Sequence, residues 1–366
     1  MSDNIRTYQA IRDALKHLYP KEPQGNIARR LNVLAALING IVESKKVNLP
    51  QIADKVPDGN KPESHIKQFY RWITNEGVDA KLYFLPFIRP LLASLAQSVL
   101  FVLMDGSIVG KGCVTLMASV VYKGRALPIA WIVVKGKKGH LKEEVHLKLI
   151  EQLHQIIPSG AQVVFLGDGE FDGAKLLDTI DGYGWKYVCR TGKSSVIFQG
   201  EKKTSYKEVF VPQGQKPVSL PDVYFTLNAY GPVHAILWWE KKYKEPIYLV
   251  SNVSSAQVAC TWYRKRFRIE TFFSDQKSRG FYLNKSHLSD PQRLSRLMIA
   301  ACLAYIWIVF LGVQALANRL HTFIHRTERC DLSLFQLGLR LLNHLLNYEL
   351  PIPVLFYHPL EVTQYP

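Results

Sequence analysis

Apolar residues recur at helical spacing in the first part of the chain. Ile27, Leu31 and Leu34 lie three or four residues apart, as on the buried face of a helix. A shorter amphipathic segment follows, then the break VPDGNKP, then a second helical segment that begins near Pro62. Proline is well tolerated in the first turn of a helix. We therefore predict an all-helical domain over residues 1–90.

Beyond this helical part the pattern becomes that of strands. The run SVLFVLMD stops at Asp105 and the run AQVVFLGD stops at Asp168, and continuous apolar runs of this kind suit strands buried on both faces. Two further strands join in a hairpin at Lys123 and Gly124, and an amphipathic helix is predicted over residues 142–157. The order strand–strand–strand–helix–strand–helix–strand predicts a mixed α/β sheet.

The later part of the chain returns to helices after a further group of strands. Residues 194–250 read as short strands split by Gly, Pro and Lys, which predicts a β-rich insertion. Within the helical part that follows, residues 297–313 carry no charge. A membrane span usually needs about 20 such residues. Because this run is slightly short and stands alone, a helix buried on all sides explains it better.

The segment WYRKRFRIETFFSDQKSRG combines an apolar stripe with a line of polar residues. On a helix that turns about 100° per residue, Tyr263, Arg266, Glu270 and Lys277 all fall within a sector of about 60°. A carboxylate flanked by cations and an aromatic ring suits a metal ion on a phosphodiester. The plainer interpretation is a solvated basic helix with ordinary i,i+4 ion pairs. Spacing alone leaves both interpretations open.

The chain is strongly basic. Its 366 residues include 46 Lys and Arg against 30 Asp and Glu, a formal net charge of +16. This excess points to an anionic partner, with nucleic acid ahead of a membrane surface. The five cysteines are far apart and form no CxxC pair, so neither a zinc ribbon nor a disulfide framework is predicted. The polar N-terminal segment has no signal-peptide core, and we expect a cytoplasmic protein.

The two short helices on either side of VPDGNKP have the pattern of a helix-turn-helix. In that arrangement the second helix would present Lys67 and Arg71 to DNA, together with His65 and Gln68. The same pattern also fits a plain helical bundle, and the sequence does not decide between the two.

Three acids stand out by position. Asp105 and Asp168 each end an apolar run, and functional groups of open sheets collect at the carboxyl ends of strands. Glu270 lies among cations on the later helix. The three carboxylates could hold two Mg²⁺ ions, with Mn²⁺ as a substitute, because hard oxygen ligands favour these ions over zinc. Each aspartate could equally be a turn residue. Asp172 competes with Asp168, which we favour because it directly ends the apolar run.

These residues resemble those of DDE transposases of bacterial insertion sequences. The resemblance is greatest to the group marked by Tyr-x2-Arg-x3-Glu-x6-Lys, the insertion-sequence 4 superfamily. Tyr263, Arg266, Glu270 and Lys277 meet that spacing without gaps. The motifs LMDGS and GDGEFDG resemble the two aspartate motifs of the family. The resemblance extends over residues 25–320.

The resemblance implies an α/β fold with a ribonuclease-H-like mixed sheet as its core. That core would comprise residues 95–193 and 251–320, interrupted by the β-rich insertion, with the helical DNA-binding domain before it and a C-terminal helical segment, residues 321–366, after it. Asp105, Asp168 and Glu270 would be the catalytic residues and the ligands of two Mg²⁺ ions. The expected reaction is cleavage at transposon ends, followed by attack of the freed 3′ hydroxyl on target DNA.

The partners expected from the resemblance are double-stranded DNA with terminal inverted repeats and target DNA. A homodimer is expected in the DNA complex, because two ends are cut together, and no membrane is expected. Tyr263, Arg266 and Lys277 would hold phosphates near the cut. Members that form a DNA hairpin catch a flipped base on an aromatic residue of the insertion. Trp238 and Trp239 are the candidates here, and either could instead belong to the core of the insertion.

Three other functions compete with a transposase. A DNA-binding relative without chemistry would not need all three acids, which are present. A structure-specific nuclease with the same core would hydrolyse DNA without strand transfer. A membrane protein built around residues 297–313 would require detergent to stay in solution.

Overall fold

The first part of the chain is helical, as the apolar spacing predicted. In the computed structural model the described residues are 2–57, 59–137, 139, 141–277, 280–326 and 330–357. The first helices are α1 (Asp3–Leu18), α2 (Gly25–Ser44), α3 (Leu49–Ala53), α4 (Pro62–Thr74), α5 (Ala80–Tyr83) and α6 (Leu85–Leu95). Helix α2 buries Leu31 and Leu34 completely or nearly so, and Pro62 lies in the first turn of α4.

A mixed sheet of ten strands forms the centre of the molecule. The strands are β1 (Leu100–Gly110), β2 (Cys113–Tyr122), β3 (Arg125–Lys135), β4 (Val163–Gly167), β5 (Lys186–Arg190), β6 (Val196–Gln199), β7 (Lys202–Ser205), β8 (Val218–Phe225), β9 (Tyr230–Trp238) and β10 (Ile247–Ser251). Their order across the sheet is β3-β2-β1-β4-β5-β10-β9-β8-β6-β7. Strands β1, β4 and β5 are parallel, and the other described neighbours are antiparallel. The predicted α/β class with a mixed sheet is therefore confirmed.

Strand β1 does not end at Asp105, so that part of the prediction is wrong. Its parallel pairing with β4 covers only Leu100–Leu103, but its antiparallel pairing with β2 continues to Gly110. The long β2–β3 hairpin, which turns at Lys123 and Gly124 as predicted, supplies this additional pairing. The apolar run stops at Asp105 because β1 has there passed the end of β4 and begins to line a cavity.

The predicted β-rich insertion continues the same sheet. Strands β6 to β9 extend it outward, and β10 connects them to the parallel strands by pairing with both β5 and β9. One of the short strands predicted in this part of the chain, VPQGQKPVSL (residues 211–220), forms only from Val218, where β8 begins, and the residues before it are turns and irregular chain. The Gly and Pro residues of VPQGQKPVSL explain why the strand does not begin earlier in the sequence. The domain boundaries at residues 194 and 250 remain predictions.

The remaining helices pack around the sheet. They are α7 (Glu143–Ile156), α8 (Ala174–Gly182), α9 (Ala256–Tyr263), α10 (Arg268–Lys277), α11 (Pro291–Ala317), α12 (His321–Ile324) and α13 (Leu334–Asn347), with 3-10 turns at Tyr206–Glu208, Arg264–Phe267 and Leu283–Lys285. Helix α11 contains the uncharged run and packs against α2, α13 and β3.

Helix α11 is buried inside the protein. Among the described residues it is the one helix long and apolar enough to cross a membrane, and 94% of its most apolar 18-residue window is buried. Gly312 of α11 and Gly338 of α13 allow the two backbones to meet. A Cβ atom at Gly312 would lie 1.9 Å from the Leu334 carbonyl oxygen, and one at Gly338 would lie 1.8 Å from that of Ile308. The burial of this run agrees with the sequence prediction.

Candidate active site

Asp105 and Asp168 lie at the same edge of the parallel strands. Leu103 pairs with Leu166, and each aspartate follows its paired leucine by two residues. The parallel register therefore brings the two carboxylates to neighbouring positions. Local hydrogen bonds orient them: the Asp105 Oδ1 atom accepts from the Gly106 N–H at 2.8 Å, and the Asp168 Oδ1 atom accepts from the Glu170 N–H at 3.0 Å.

The third acid comes from a segment that is not one continuous α-helix, contrary to the prediction. Helix α9 ends at Tyr263, a 3-10 turn spans Arg264–Phe267, and α10 begins at Arg268. A 3-10 turn advances about 120° per residue instead of about 100°. The turn therefore changes the angle between Tyr263 and the residues that follow it. Tyr263 is 1% exposed and packs edge-on against Phe267.

Arg266 joins all three acids. Its Nη2 atom lies 2.7 Å from Asp168 Oδ2 and 3.8 Å from Asp105 Oδ2, and its Nη1 atom lies 2.7 Å from Glu270 Oε1. The Arg266 side chain is only 8% exposed. One buried guanidinium thus offsets part of the negative charge of three converging carboxylates. Its contacts with Asp168 and Glu270 are charge-assisted hydrogen bonds, which are among the strongest in proteins.

The three acids border a cavity of about 710 Å³. Arg266 and Lys277 also line this cavity, whereas Tyr263 does not. The Lys277 Nζ atom donates a hydrogen bond to the Ser107 hydroxyl of β1 and lies 5.6 Å from the centre of the Phe273 ring. The structure therefore brings five of the six residues predicted for this site, the three acids with Arg266 and Lys277, into one cavity. Tyr263 is buried and does not line the cavity.

Burial raises the pKa of Asp105 to about 6. The neighbouring Asp168 and Glu270 carboxylates act in the same direction, while Arg266 and the Gly106 N–H act against it. A carboxyl group with a raised pKa binds its proton more tightly in the folded protein than in the unfolded chain. Ionisation of Asp105 therefore costs stability as the pH rises from about 4 to about 6.

We expect Asp105→Asn to stabilise the metal-free protein at high pH. At pH 8 the free energy of unfolding should rise by about 2–3 kcal/mol, because the variant no longer holds an unfavourable charge. Near pH 4 the gain should fall below about 1 kcal/mol, since Asp105 is then already protonated. Urea unfolding in EDTA at both pH values measures this difference. An equal effect at both would contradict the assignment.

The carboxylates of Asp105, Asp168 and Glu270 suit a hard divalent cation by their chemistry and combined charge. In this structure the three carboxylates converge on the Arg266 guanidinium, whose positive charge lies between them. Within the described ranges no group of three or more His, Cys, Asp or Glu side chains has the arrangement of a formed metal site. By the chemistry of its hard oxygen donors the set nevertheless fits Mg²⁺ or Mn²⁺.

Sequence reasoning missed two cations beside the acids. Arg190 is the last residue of the third parallel strand, β5, and Lys193 follows shortly after it. Both line a neighbouring cavity of about 430 Å³ that also includes Asp168. The position of these two cations follows from the strand order, because β5 is parallel to β4 and the carboxyl ends of both strands lie at the same edge of the sheet. Glu170 lines both cavities; its Oε1 atom accepts from the Leu141 N–H at 2.7 Å and lies 3.2 Å from His146 Nε2.

The two candidate tryptophans lie away from the acids. Trp238 is 3% exposed, and its ring lies 5.0 Å below the Arg264 guanidinium carbon in a separate cavity of about 540 Å³. Trp239 is half-buried and donates from its indole N–H to the Tyr243 carbonyl oxygen at 3.0 Å. Neither lines the cavity of the acids. A role in base stacking remains a prediction for both.

Helix α4 exposes Lys67 and Arg71 but not His65. His65 is 4% exposed and faces the Phe69 ring, so the prediction that it is offered to DNA is wrong. It lies four residues before Phe69, on the face that packs against the protein. The adjacent Tyr70 is 46% exposed, with the Arg293 guanidinium carbon of α11 5.1 Å from its ring centre.

Comparison with known proteins shows which family the chain belongs to. The model of the family described as Transposase DDE domain matches residues 105–307, more than half of the chain and including all three acids. No curated protein matches significantly. One similar solved structure is that of the piggyBac transposase synaptic complex with hairpin DNA, with 11% identity, coverage of 96% of this chain and 80% of that chain, and a TM-score of 0.45. On the family match alone, this chain belongs to the transposase DDE domain family.

Proposed function

We propose that this protein cuts the ends of a transposon and joins the freed 3′ hydroxyl to target DNA by two-metal phosphoryl transfer. The observation that carries the proposal is the convergence of Asp105, Asp168 and Glu270 on one buried cation in a single cavity. The parallel strands with acids at their carboxyl edge support a ribonuclease-H-like core. The intact Tyr263, Arg266, Glu270 and Lys277 spacing supports membership of the bacterial insertion-sequence 4 superfamily.

Asp105, Asp168 and Glu270 would hold two Mg²⁺ ions, for which Mn²⁺ can substitute. Such ions activate a water or 3′ hydroxyl nucleophile and stabilise the leaving oxygen of an in-line displacement. The chain's own cations would orient the DNA strand. Lys277 reaches into the cavity from the far end of α10, and Arg266 is placed to exchange its carboxylate partners for a phosphate.

The proposed partners are duplex DNA with terminal inverted repeats, target DNA and a second copy of the chain. The net charge of +16 favours a polyanionic partner. Exposed Lys67 and Arg71 on α4 support contacts with the DNA backbone outside the active site. We propose a cytoplasmic site of action without a membrane partner.

A cleavage assay tests the proposal most directly. Purified protein is incubated with Mg²⁺ and a duplex that carries the inverted repeat flanking its gene, with Glu270→Ala as the control. Cleavage at the repeat boundary with a joined or hairpin product, lost in the control, is the expected result. Cleavage without joining would instead favour a structure-specific nuclease. Binding without cleavage, in Mn²⁺ as well, would favour a DNA-binding relative.

Replacing Lys67 and Arg71 together by Ala is expected to weaken DNA binding mainly at low salt. The slope of log K against log salt concentration should become less steep by about 0.9 for each phosphate contact that is lost. Titrations between about 50 and 200 mM salt measure it. Lys175→Ala, an exposed cation on α8, is the matched control. An unchanged slope would remove α4 from the DNA interface.

A further inference from the structure

A buried ion pair lies behind the helix that carries Glu270. Arg125, the first residue of β3, donates from its Nη2 atom to Asp275 Oδ2 of α10. The two side chains are 12% and 4% exposed. Neither residue lines the cavity of the acids. The pair therefore has no direct part in the proposed chemistry, and a buried charged pair of this kind requires another explanation.

Helix α10 depends on its surroundings for its position. It has ten residues and follows a 3-10 turn, and helices this short are marginal in isolation. One face directs Glu270, Phe273 and Lys277 into the cavity, with the spacing of one helix side. The opposite side must therefore hold the helix against the protein.

Three of the contacts on that opposite side have different characters. The Phe272 ring packs edge-on against Tyr305 of α11, with centres 5.0 Å apart, and the Gln276 amide donates to the Ala301 carbonyl oxygen at 3.3 Å. Asp275 lies between them and adds the only charged contact among these three. Apolar packing permits a helix to slide or rotate slightly, whereas a hydrogen-bonded ion pair requires a particular direction and distance.

Arg125 stays charged despite its burial. Burial lowers the pKa of Arg125, but the neighbouring Tyr305 and Asp275 more than offset this effect, so its pKa lies above the ordinary value. Buried ion pairs often stabilise a fold no better than apolar residues of similar volume. Stability alone therefore does not explain why two charges lie here.

We propose that the Arg125–Asp275 ion pair is a positioning device that holds α10 so that Glu270 and Lys277 face Asp105 and Asp168. This inference rests on the proposed function, because it assigns to the pair the geometry of the catalytic acids. Arg125 and Asp275 are positioning residues, since they act through α10 and contact no reacting atom.

The decisive variant replaces both charges by apolar groups, Arg125→Met with Asp275→Leu. It should keep a melting temperature close to that of the wild type, because no unpaired charge remains buried. Cleavage of inverted-repeat DNA should nevertheless fall at least tenfold, with end binding unchanged. The amide hydrogens of α10 should exchange at least tenfold faster while those of α11 keep their rates.

Asp275→Asn provides a second test if the double variant unfolds. The amide keeps the size of the side chain and an acceptor oxygen but loses the charge, so a smaller increase in α10 exchange and a smaller loss of cleavage are expected. Asp13→Asn, which removes the exposed Arg12–Asp13 pair on α1, is the control. Wild-type exchange in α10 together with wild-type cleavage in either folded variant would overturn the proposal.

The two proposals can fail separately. If the wild-type protein cleaves no DNA, the proposed function is wrong, and the exchange rates of α10 still decide whether the ion pair positions this helix. If the wild type cleaves and the folded double variant cleaves equally well, only the positioning role is wrong.

Discussion

Asp168→Asn is expected to reduce cleavage of inverted-repeat DNA by about 10³-fold or more, equivalent to ~4 kcal/mol of transition-state stabilisation. Asparagine keeps the size of the side chain and an acceptor for the Glu170 N–H, so the turn after β4 should be preserved. It removes the negative charge that a divalent cation requires. Single-turnover cleavage in Mg²⁺, with end binding measured in parallel, should show lost chemistry and retained affinity.

Two variants make this result specific. Asp178→Asn changes an exposed acid on the neighbouring α8 and should cleave like the wild type. Asp172→Asn tests the competing acid of the same motif, whose Oδ2 atom accepts a hydrogen bond from the Thr191 hydroxyl at 2.7 Å. If Asp172→Asn were inactive and Asp168→Asn active, the second catalytic acid would have been assigned to the wrong residue. Asp105→Asn and Glu270→Gln should be as inactive as Asp168→Asn.

Arg266→Gln is expected to have opposite effects on ion binding and on cleavage. In the DNA-free protein the affinity for Mn²⁺ should rise at least about tenfold, because a unit charge about 4 Å away is worth about 4 kcal/mol at an effective dielectric constant of 20. In the wild-type protein the Arg266 guanidinium contacts the three carboxylates that the ion would bind. Cleavage should fall, since the same cation is proposed to hold a phosphate.

Mn²⁺ titration by calorimetry or electron paramagnetic resonance measures the first effect without any DNA. Arg264→Gln is the matched control: it removes a neighbouring arginine whose ion-pair partner is Glu240, outside the acid cavity. Its Mn²⁺ affinity should equal that of the wild type. An unchanged or weaker affinity in Arg266→Gln would show that Arg266 does not compete with the ion.

Local patterns predicted which segments form the buried strands before the two aspartates and which acids are candidates for the site. Apolar runs before Asp105 and Asp168 predicted buried strands, and the parallel register of those strands brings the two acids together. The end of β1 was placed wrongly because an apolar run reports where a core ends, not where pairing ends. Pairing with β2 continues past Asp105, where β1 lines the cavity before Val109 is again fully buried.

The prediction that one continuous helix carries the line of polar residues was wrong in its assumption of continuity. Arg266 and Glu270 do meet, but a 3-10 turn separates Tyr263 from α10. Sequence periodicity at 100° per residue assumes uniform winding, and a local change of winding is decided by packing on both sides. The prediction that His65 is offered to DNA was wrong for a related reason. Its exposure depends on which face of α4 packs against the rest of the protein.

The sequence by itself determined the mixed α/β class, the helical first part, the burial of residues 297–313 and the set of acids and cations that carry the proposed chemistry. Only the tertiary structure decided which cation joins the acids, that Lys277 binds Ser107, and that Arg125 meets Asp275. The physical reason is the distance along the sequence between the residues that interact. Helix and strand periods arise from neighbouring residues, whereas the pairs Arg266–Asp168, Lys277–Ser107 and Arg125–Asp275 lie far apart in sequence and meet only when the sheet and α10 pack together.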